Sequence, residues 1–524
     1  MVTAAMHTSF TFADWAVLGG YVAILALTGW LSTRRGLASR DDYFLDGHHA
    51  PTWLVAISVL STVQSAATFL GVPDYSYRGD YTYVGGVAAA LLAAWIVANV
   101  LIPRFYALKV ATVYELLELR FAQRARRAAG LMFLIGRIFA SGSRLYLAAI
   151  AVSMILFLDI TPGHIVIATG LLLVLGLAFT LKGGLHSVIW SDLIQVVLYV
   201  GAALVAALFL WWHLPLSLSE TVTELIHAPG GQNKLALVNP APSFSAPFSL
   251  FAVFTGVTLL NVASSGLDQD TTQRLLACPD AKRGARALYS SVLISLPVIL
   301  LFLVIGSLLH LTYARPDILA SAGLPATTFE GEKITVFMHY ILTALPAGLR
   351  GLATVGVLAA AAMNSELIAM ASVVINDFYR PWSAKRGKRD EAHFVRAGRV
   401  ATVVMGLALF SMAILSYYWQ HYSDAGLLDF VLGVMSFAYS GLLGVYGVAL
   451  FTRRGSTASV IAAFATGFLT VLAFQPFVID MAGLPLGMKA IAFPWQLCLG
   501  TLVAAATCAL GRGKVEVAIS SDAG

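Results

Sequence analysis

The chain has 524 residues, of which 59% are hydrophobic and 11% charged, and its mean hydropathy is +0.81. A soluble globular chain is about 25% charged and 45–50% apolar, so this composition excludes a soluble enzyme or binding module and describes a polytopic membrane protein. The net charge of +6 fits Lys/Arg-rich cytoplasmic loops better than a nucleic-acid partner, and Cys278, Cys498 and Cys508 show no spacing that implies a disulfide framework or a zinc site.

In chain order, apolar runs of span length fall at 12–32, 52–72, 83–103, 129–158, 163–181, 188–212, 247–266, 286–311, 334–375, 398–417, 427–451, 457–476 and 491–511. That makes about 13 spans. A chain this apolar has little choice but helix, because lipid offers no partner to an unpaired backbone group. The fold class is therefore all-α. The 334–375 run is too long for one span and predicts a short helix before the span proper. The segment from Phe12 to Leu31 lacks a preceding basic region, so it reads as a span rather than a cleavable leader.

Basic residues set the expected orientation. With the N-terminus outside, the inside loops hold Arg34, Arg35 and Arg40, then Arg104 to Arg127, Lys182, Arg274 to Arg286, Arg380 to Arg399, Arg453, Arg454, Arg512 and Lys514. The outside loops keep Arg78, Lys234, Arg315, Lys333 and Lys489. The asymmetry predicts N-out, C-in in the cell (inner) membrane.

Five spans carry polarity that lipid does not explain. The stretch WLVAISVLSTVQSAATFLG, Trp53 to Gly71, holds Ser58, Ser61, Thr62, Gln64, Ser65 and Thr68. Hydroxyls alone serve as helix–helix contacts or bond their own i−4 carbonyl. A buried glutamine needs several partners. With Gly71, Pro73 and Gly79 following, this reads as a helix that breaks, and broken polar helices are where transporters hold solutes and ions. The stretch TGVTLLNVASSGLDQDTTQR, Thr255 to Arg274, brings Asn261, Ser264 and Ser265 within one turn, and Asp268, Gln269, Gln273 and Arg274 mark its expected cytoplasmic end. A Ser/Gly packing seam is the alternative.

In VGVLAAAAMNSELIAMASVVINDFYRPW, Val355 to Trp382, Asn364, Ser365 and Glu366 sit centrally. An ionisable residue in a span faces a cavity or a partner, so Glu366 is either functional or paired with an arginine. Arg137 and Arg144 lie seven apart in LMFLIGRIFASGSRLYLAAIAVSMIL, nearly two turns and on one face. Each demands an anion, either internal (Glu366, Asp192) or a substrate carboxylate. Asp192, in KGGLHSVIWSDLIQ, reads as a residue near the start of its span, favoured there by the helix dipole or serving a cation.

Taken together, several segments resemble the sodium:solute symporter family, whose members include sodium–glucose, proline, sialic acid and iodide transporters. The residues that carry the resemblance are DDYFLDGHHAPTWLVAISVLSTVQSAATFLGVP, IPRFYALKVATVYELLELRF, FTLKGGLHSVIWSDLIQ, DQDTTQRLLACPDAKRGARAL, INDFY and, later, FTRRGSTAS, running in family order. The resemblance implies a LeuT-type fold. It has an extra N-terminal helix at 12–32, inverted five-helix repeats at 52–212 and 247–451, and two C-terminal helices at 457–511.

It further implies a substrate site near Gln64, Ser65, Thr68, Asn261, Ser264 and Ser265. Two serines there stand where sugar transporters have aromatic residues. Arg137 or Arg144 corresponds to an arginine that meets a substrate carboxylate in anion-carrying members. For sodium, the resemblance implies Ser61 and Gln64 from the first core helix. From the eighth it implies either Ala361 and Ala362 or, in a second register, Asn364 and Ser365. Asp192 joins a possible second cation site.

The function so implied is sodium-coupled symport of a small polar organic solute, such as a carboxylate, into the cell by alternating access, with no enzyme activity. Its partners would be solute, sodium ion and lipid, with no obligate protein partner. Proton coupling through Asp192 or Glu366, an uncoupled transporter and a transporter-like solute sensor remain alternatives at this point. The absence of any His-rich cluster or nucleophile–base pair at membrane depth argues against a membrane enzyme.

Overall fold

The structure is a computed structural model that describes residues 10–33, 50–110, 112–157, 159–323, 329, 336–360, 363–386, 390–423 and 426–512. Among them, seven helices are long and apolar enough to cross a membrane, or up to ten if each bent pair is one span, and three shorter apolar helices lie at other predicted spans. The described residues form no β-sheet, only isolated bridges in the segment that precedes Leu250. The expected short helix before the ninth span is Val336–Thr343, followed by the span Leu349–Ser383.

Two boundaries depart from expectation. The helix beginning at Pro162 runs to His213 without a helical break. Asp192 therefore lies deep inside a helix and has no helix N-terminus to favour it. The seventh span extends past Gly266 as a bent pair, Leu250–Gly266 with Gln269–Leu276. Asp268 caps and Gln269 to Arg274 open the second half of a broken helix, and both Asp268 and Arg274 are buried, 1% exposed.

Helix order sets what is central. The apolar windows of Leu349–Ser383, Leu428–Phe451 and Gln123–Phe157 are 87%, 83% and 78% buried, against 39% for Thr82–Leu108 and Glu391–Ser423. The first three therefore line the interior and the last two face outward. Their sequences agree: the interior helices carry the Gly, Ala and Ser that allow close approach. A Cβ on Gly136 would lie 2.1 Å from the Cβ of Ala438, so the helices of Gly136 and Ala438 meet nearly backbone to backbone.

The first broken helix, Thr52–Val63 with Ala67–Arg78, bends by 62°, and the second by 53°. The end of the Ala67–Arg78 half is held by an unusual cap. Lys234, from the segment between Leu218–Ile226 and Leu250, is buried and donates from Nζ to the carbonyls of Tyr77 (3.1 Å) and Gly79 (2.8 Å). A cation suits the carbonyls left free at a helix C-terminus.

Burial pushes the Lys234 amine down to about 8, with Asp80 pulling the other way. The folded chain thus releases this proton near pH 8 and the unfolded chain near ~10.4. Between those values the unfolded state binds more protons, so this group's contribution to stability rises with pH. Melting temperatures of the wild type and Lys234→Met at pH 7 and pH 9.5 check this: the difference should move in favour of the wild type at the higher pH, and a constant difference would refute the assignment.

Candidate functional site

The site begins with a helix that cannot continue. At Gln64 the backbone is extended (φ −78°, ψ 137°), ending the Thr52–Val63 half. Ser65 and Thr68 serve the start of the next half: the Ser65 hydroxyl accepts from the Ala67 N–H at 3.2 Å and the Thr68 hydroxyl from the Ser65 N–H at 3.4 Å. Their short side chains replace the intrahelical bonds lost at the break. Gln64 is 4% exposed, and its Oε1 has no hydrogen-bond partner among the described residues. A buried acceptor left unpaired costs about 1–3 kcal/mol, which marks a place built to receive something.

A cavity of about 20 Å³ opens beside the break. The first broken helix contributes Ser61, Thr62, Gln64 and Ser65 to its wall. Gln123–Phe157 contributes Ser141, Arg144 and Leu145, and the long helix contributes Asp192. Ala360, Met363, Ser365 and Glu366 complete it from the ninth span. The volume suits one or two water-sized groups or an ion; an organic solute needs the halves to move apart. Arg144 points into this space with its Nε unpartnered, as is the hydroxyl of Ser141. Its remaining contacts are long: Nη1 lies 3.4 Å from Glu366 and 3.5 Å from the Thr62 carbonyl, and Nη2 3.7 Å from the Met435 sulfur.

A charge network lies against the cavity. Arg137 pairs with Asp268 at 3.1 Å and with Asp270. Arg274 pairs with the same Asp270 and reaches Asp192 at 3.2 Å. The Ser58 hydroxyl accepts from Arg274 Nε at 2.7 Å and donates to Asp192. The Tyr439 hydroxyl donates to Asp268 at 2.6 Å, and the N–H of Asp270 donates to Asp268 at 2.9 Å. Glu366 lies 3.5 Å from Arg137 and 3.4 Å from Arg144.

Eight residues singled out from the sequence share the cavity: Ser61, Thr62, Gln64, Ser65, Arg144, Asp192, Ser365 and Glu366. Thr68, Asn261, Ser264, Ser265 and Arg137 are outside it. Asn261 donates to the Val257 carbonyl at 2.8 Å and Ser264 to the Asn261 carbonyl at 3.2 Å, so both spend their polarity on their own helix. Arg137 spends its two terminal nitrogens on Asp268 and Asp270. Asp192, considered as a partner for Arg137 or Arg144, pairs with Arg274 instead. Ala361 and the side chain of Asn364 lie outside the described residues.

The reading of the chain passed over Ser58, Ser141, Asp268, Asp270 and Arg274 as site-forming residues. The signal that could have found them is DQDTTQR itself. Two aspartates and an arginine spaced i, i+2, i+6 directly after a polar helix have both signs needed to pair inside a bundle.

The family profile described as "SSF: Sodium:solute symporter family" matches residues 43–467. The chain is 26% identical over 471 residues to the sodium/sialic acid symporter SiaT of Proteus mirabilis (strain HI4320), covering 88% of this chain and 90% of that one. It is 24% identical over 495 residues to the sodium/glucose cotransporter of Vibrio parahaemolyticus, covering 91% and 86%. A structure of a Na⁺-coupled sialic acid symporter in a substrate-bound outward-open state superposes with a TM-score of 0.79 at 24% identity, covering 95% and 97%. That likeness shows a shared LeuT-type fold.

Removing one member of a buried ion pair strands its partner and costs about 3–5 kcal/mol. Asp270 serves two arginines. Asp270→Asn should therefore lower the melting temperature by several degrees in detergent, whereas Asn261→Ala should shift it by under a degree. Equal effects, read by intrinsic fluorescence, would show that the network does not hold the bundle.

Proposed function

Since this chain belongs to the sodium:solute symporter family, we propose that its solute is a small organic anion whose carboxylate is received by Arg144. Members of the family are transporters rather than enzymes, and sodium is the coupling ion. Sodium-coupled symport of a small solute across a membrane that the chain crosses many times is accordingly its activity.

The observation that carries the anion is the state of Arg144. A guanidinium stays ionised at any physiological pH and offers five donors. Here its Nε has no partner and its other contacts are 3.4 Å or longer, beyond ordinary charge-assisted hydrogen bonds. Arg137, seven residues earlier, has short ion pairs with Asp268 and Asp270 and also leaves its Nε unpartnered among the described residues, so what sets Arg144 apart is its place on the cavity wall and the length of its contacts. The sialic acid symporter among its relatives, which acts on a carboxylated sugar, supports this assignment; the glucose cotransporter is the rival precedent.

Sodium is a hard cation that takes oxygen ligands. The unpartnered Gln64 Oε1, with Ser61, Ser365 and Asp192 around the same cavity, fits it. Carbonyls freed at a helix break are further ligands of this kind. Two five-helix repeats at 52–212 and 247–451 fit the position of the bends, since each opens on a broken helix. The basic residues outside the bundle favour the N-terminus outside and the C-terminus in the cytoplasm of the cell membrane. In alternating access, one set of helices rocks against the other and opens the cavity to each side in turn.

Thermal-shift measurements on the purified protein test this reading, since ligands of the native state raise its melting point. N-acetylneuraminate, lactate and glucose are each added in sodium chloride and in potassium chloride. At least one carboxylate should stabilise the protein in sodium only, and Arg144→Gln should weaken its binding at least tenfold, the size of about one charge-assisted hydrogen bond. Stabilisation by glucose alone, undiminished in Arg144→Gln, would replace the anion with a neutral sugar.

A further inference from the structure

We infer that Glu366 is the side chain through which the coupling cation and the anionic solute act on one another. This deepens the proposed function and rests on it for the solute, while its sodium arm stands alone. Arg137, Arg144 and Arg274 form one connected group with Asp192, Asp268, Asp270 and Glu366. With all seven in their ordinary ionised states, four carboxylates face three guanidiniums, and the group is one negative charge in surplus.

The geometry says which carboxylate is the surplus one. Asp268, Asp270 and Asp192 each have a guanidinium at 3.2 Å or closer and at least one further donor. Asp270 in particular is shared by two arginines. Among the described residues, Glu366 has only the side-chain contacts at 3.4 Å and 3.5 Å, beyond normal hydrogen-bond length. It also faces the cavity, where the other three, apart from Asp192, do not.

A second observation points to a cation in the same space. Gln64 Oε1, on a residue 4% exposed, is an acceptor with nothing to accept from, and it lines the cavity with Glu366 and Asp192. An uncompensated carboxylate at membrane depth is costly, and one monovalent cation among these oxygens cancels it.

The solute enters the same balance from the other side. Its carboxylate and that of Glu366 are like charges competing for Arg144. Without a cation, the arriving anion meets Glu366 already there and adds a second surplus charge. A cation drawn to Glu366 releases Arg144 and offsets the repulsion at once. By linkage, the solute must strengthen cation binding by the same factor. The other cavity residues bind; Glu366 makes binding of one ligand depend on the other.

The test compares the wild type, Glu366→Gln and Glu366→Asp, purified in choline chloride and titrated with sodium chloride alone while following the melting temperature. Glu366→Gln should need at least tenfold more sodium for half-maximal stabilisation. Glu366→Asp, which keeps the charge, should stay within about threefold of the wild type and keeps the test open if the glutamine variant does not fold. An unchanged sodium midpoint in Glu366→Gln, or a tenfold loss in the charge-keeping Glu366→Asp, would overturn the inference whatever the solute proves to be. With N-acetylneuraminate as the probe, the ratio of its Kd without sodium to that with sodium should fall toward one in Glu366→Gln. A ratio equal to the wild type's would also overturn it. If no carboxylate binds the wild type, the proposed solute class fails while the sodium titration still decides the role of Glu366.

Discussion

Asp270, wedged between Arg137 and Arg274, is the contact on which the arrangement of the bundle turns. None of these three groups can be buried at membrane depth alone. Because an arginine does not give up its proton, pairing is the only way to bury it. The pairing joins three elements: Gln123–Phe157, the second half of the second broken helix, and, through Asp192, the Pro162–His213 helix. Buried ion pairs add little net stability compared with apolar packing, but they discriminate strongly against arrangements that leave a charge single. Specifying one register of helices, rather than adding stability, is what such a network contributes here.

The two breaks follow from the same economy of polar groups. Helix in lipid is favoured because it satisfies every backbone group internally, so a break survives only where something else supplies the missing bonds. At the first, Ser65 and Thr68 do so from the side chains. At the second, Asp268 accepts from the Asp270 N–H while pairing with Arg137, so one carboxylate caps a half-helix and neutralises a charge. The Thr52–Val63 half ends with its Thr62 carbonyl toward Arg144, a cation at the negative end of a helix dipole. The cavity lies among these ends because that is where polar atoms exceed the partners available to them.

A related cluster lies at the far end of the Gln123–Phe157 helix. Arg126 donates to Asp377 at 2.7 Å, Glu118 at 2.8 Å and Glu115 at 2.9 Å, and Thr112 donates to Asp377 at 2.8 Å. The ninth span is therefore tied to Gln123–Phe157 at both levels, by Glu366 midway and by Asp377 near its end. The tie at Asp377 gathers short bonds on Oδ1; the one at Glu366 is long.

Much of this was legible in the sequence. The membrane class, the thirteen apolar segments, the short helix ahead of the ninth span and the polar first core helix all follow from hydropathy and side-chain chemistry, which are properties of a residue and its near neighbours. The quoted segments also sufficed to point to the symporter family. What the tertiary structure alone decided is which polar groups face one another. Arg137 and Arg144 share a helix face, yet two turns separate them by about 10 Å along the axis, enough to set one in a closed ion network and the other on a cavity. Asn261 and Ser264 stood out as strongly as Gln64, but Asn261 Nδ2 and the Ser264 hydroxyl donate to carbonyls of their own helix, whereas Gln64 Oε1, an acceptor on the cavity wall, meets no donor among the described residues. Asp268 to Arg274 read as a polar helix end and are instead buried, since their partners come from helices more than a hundred residues away or, for Asp192, 82 residues away. Local chemistry states that a charge needs a partner; only packing supplies it.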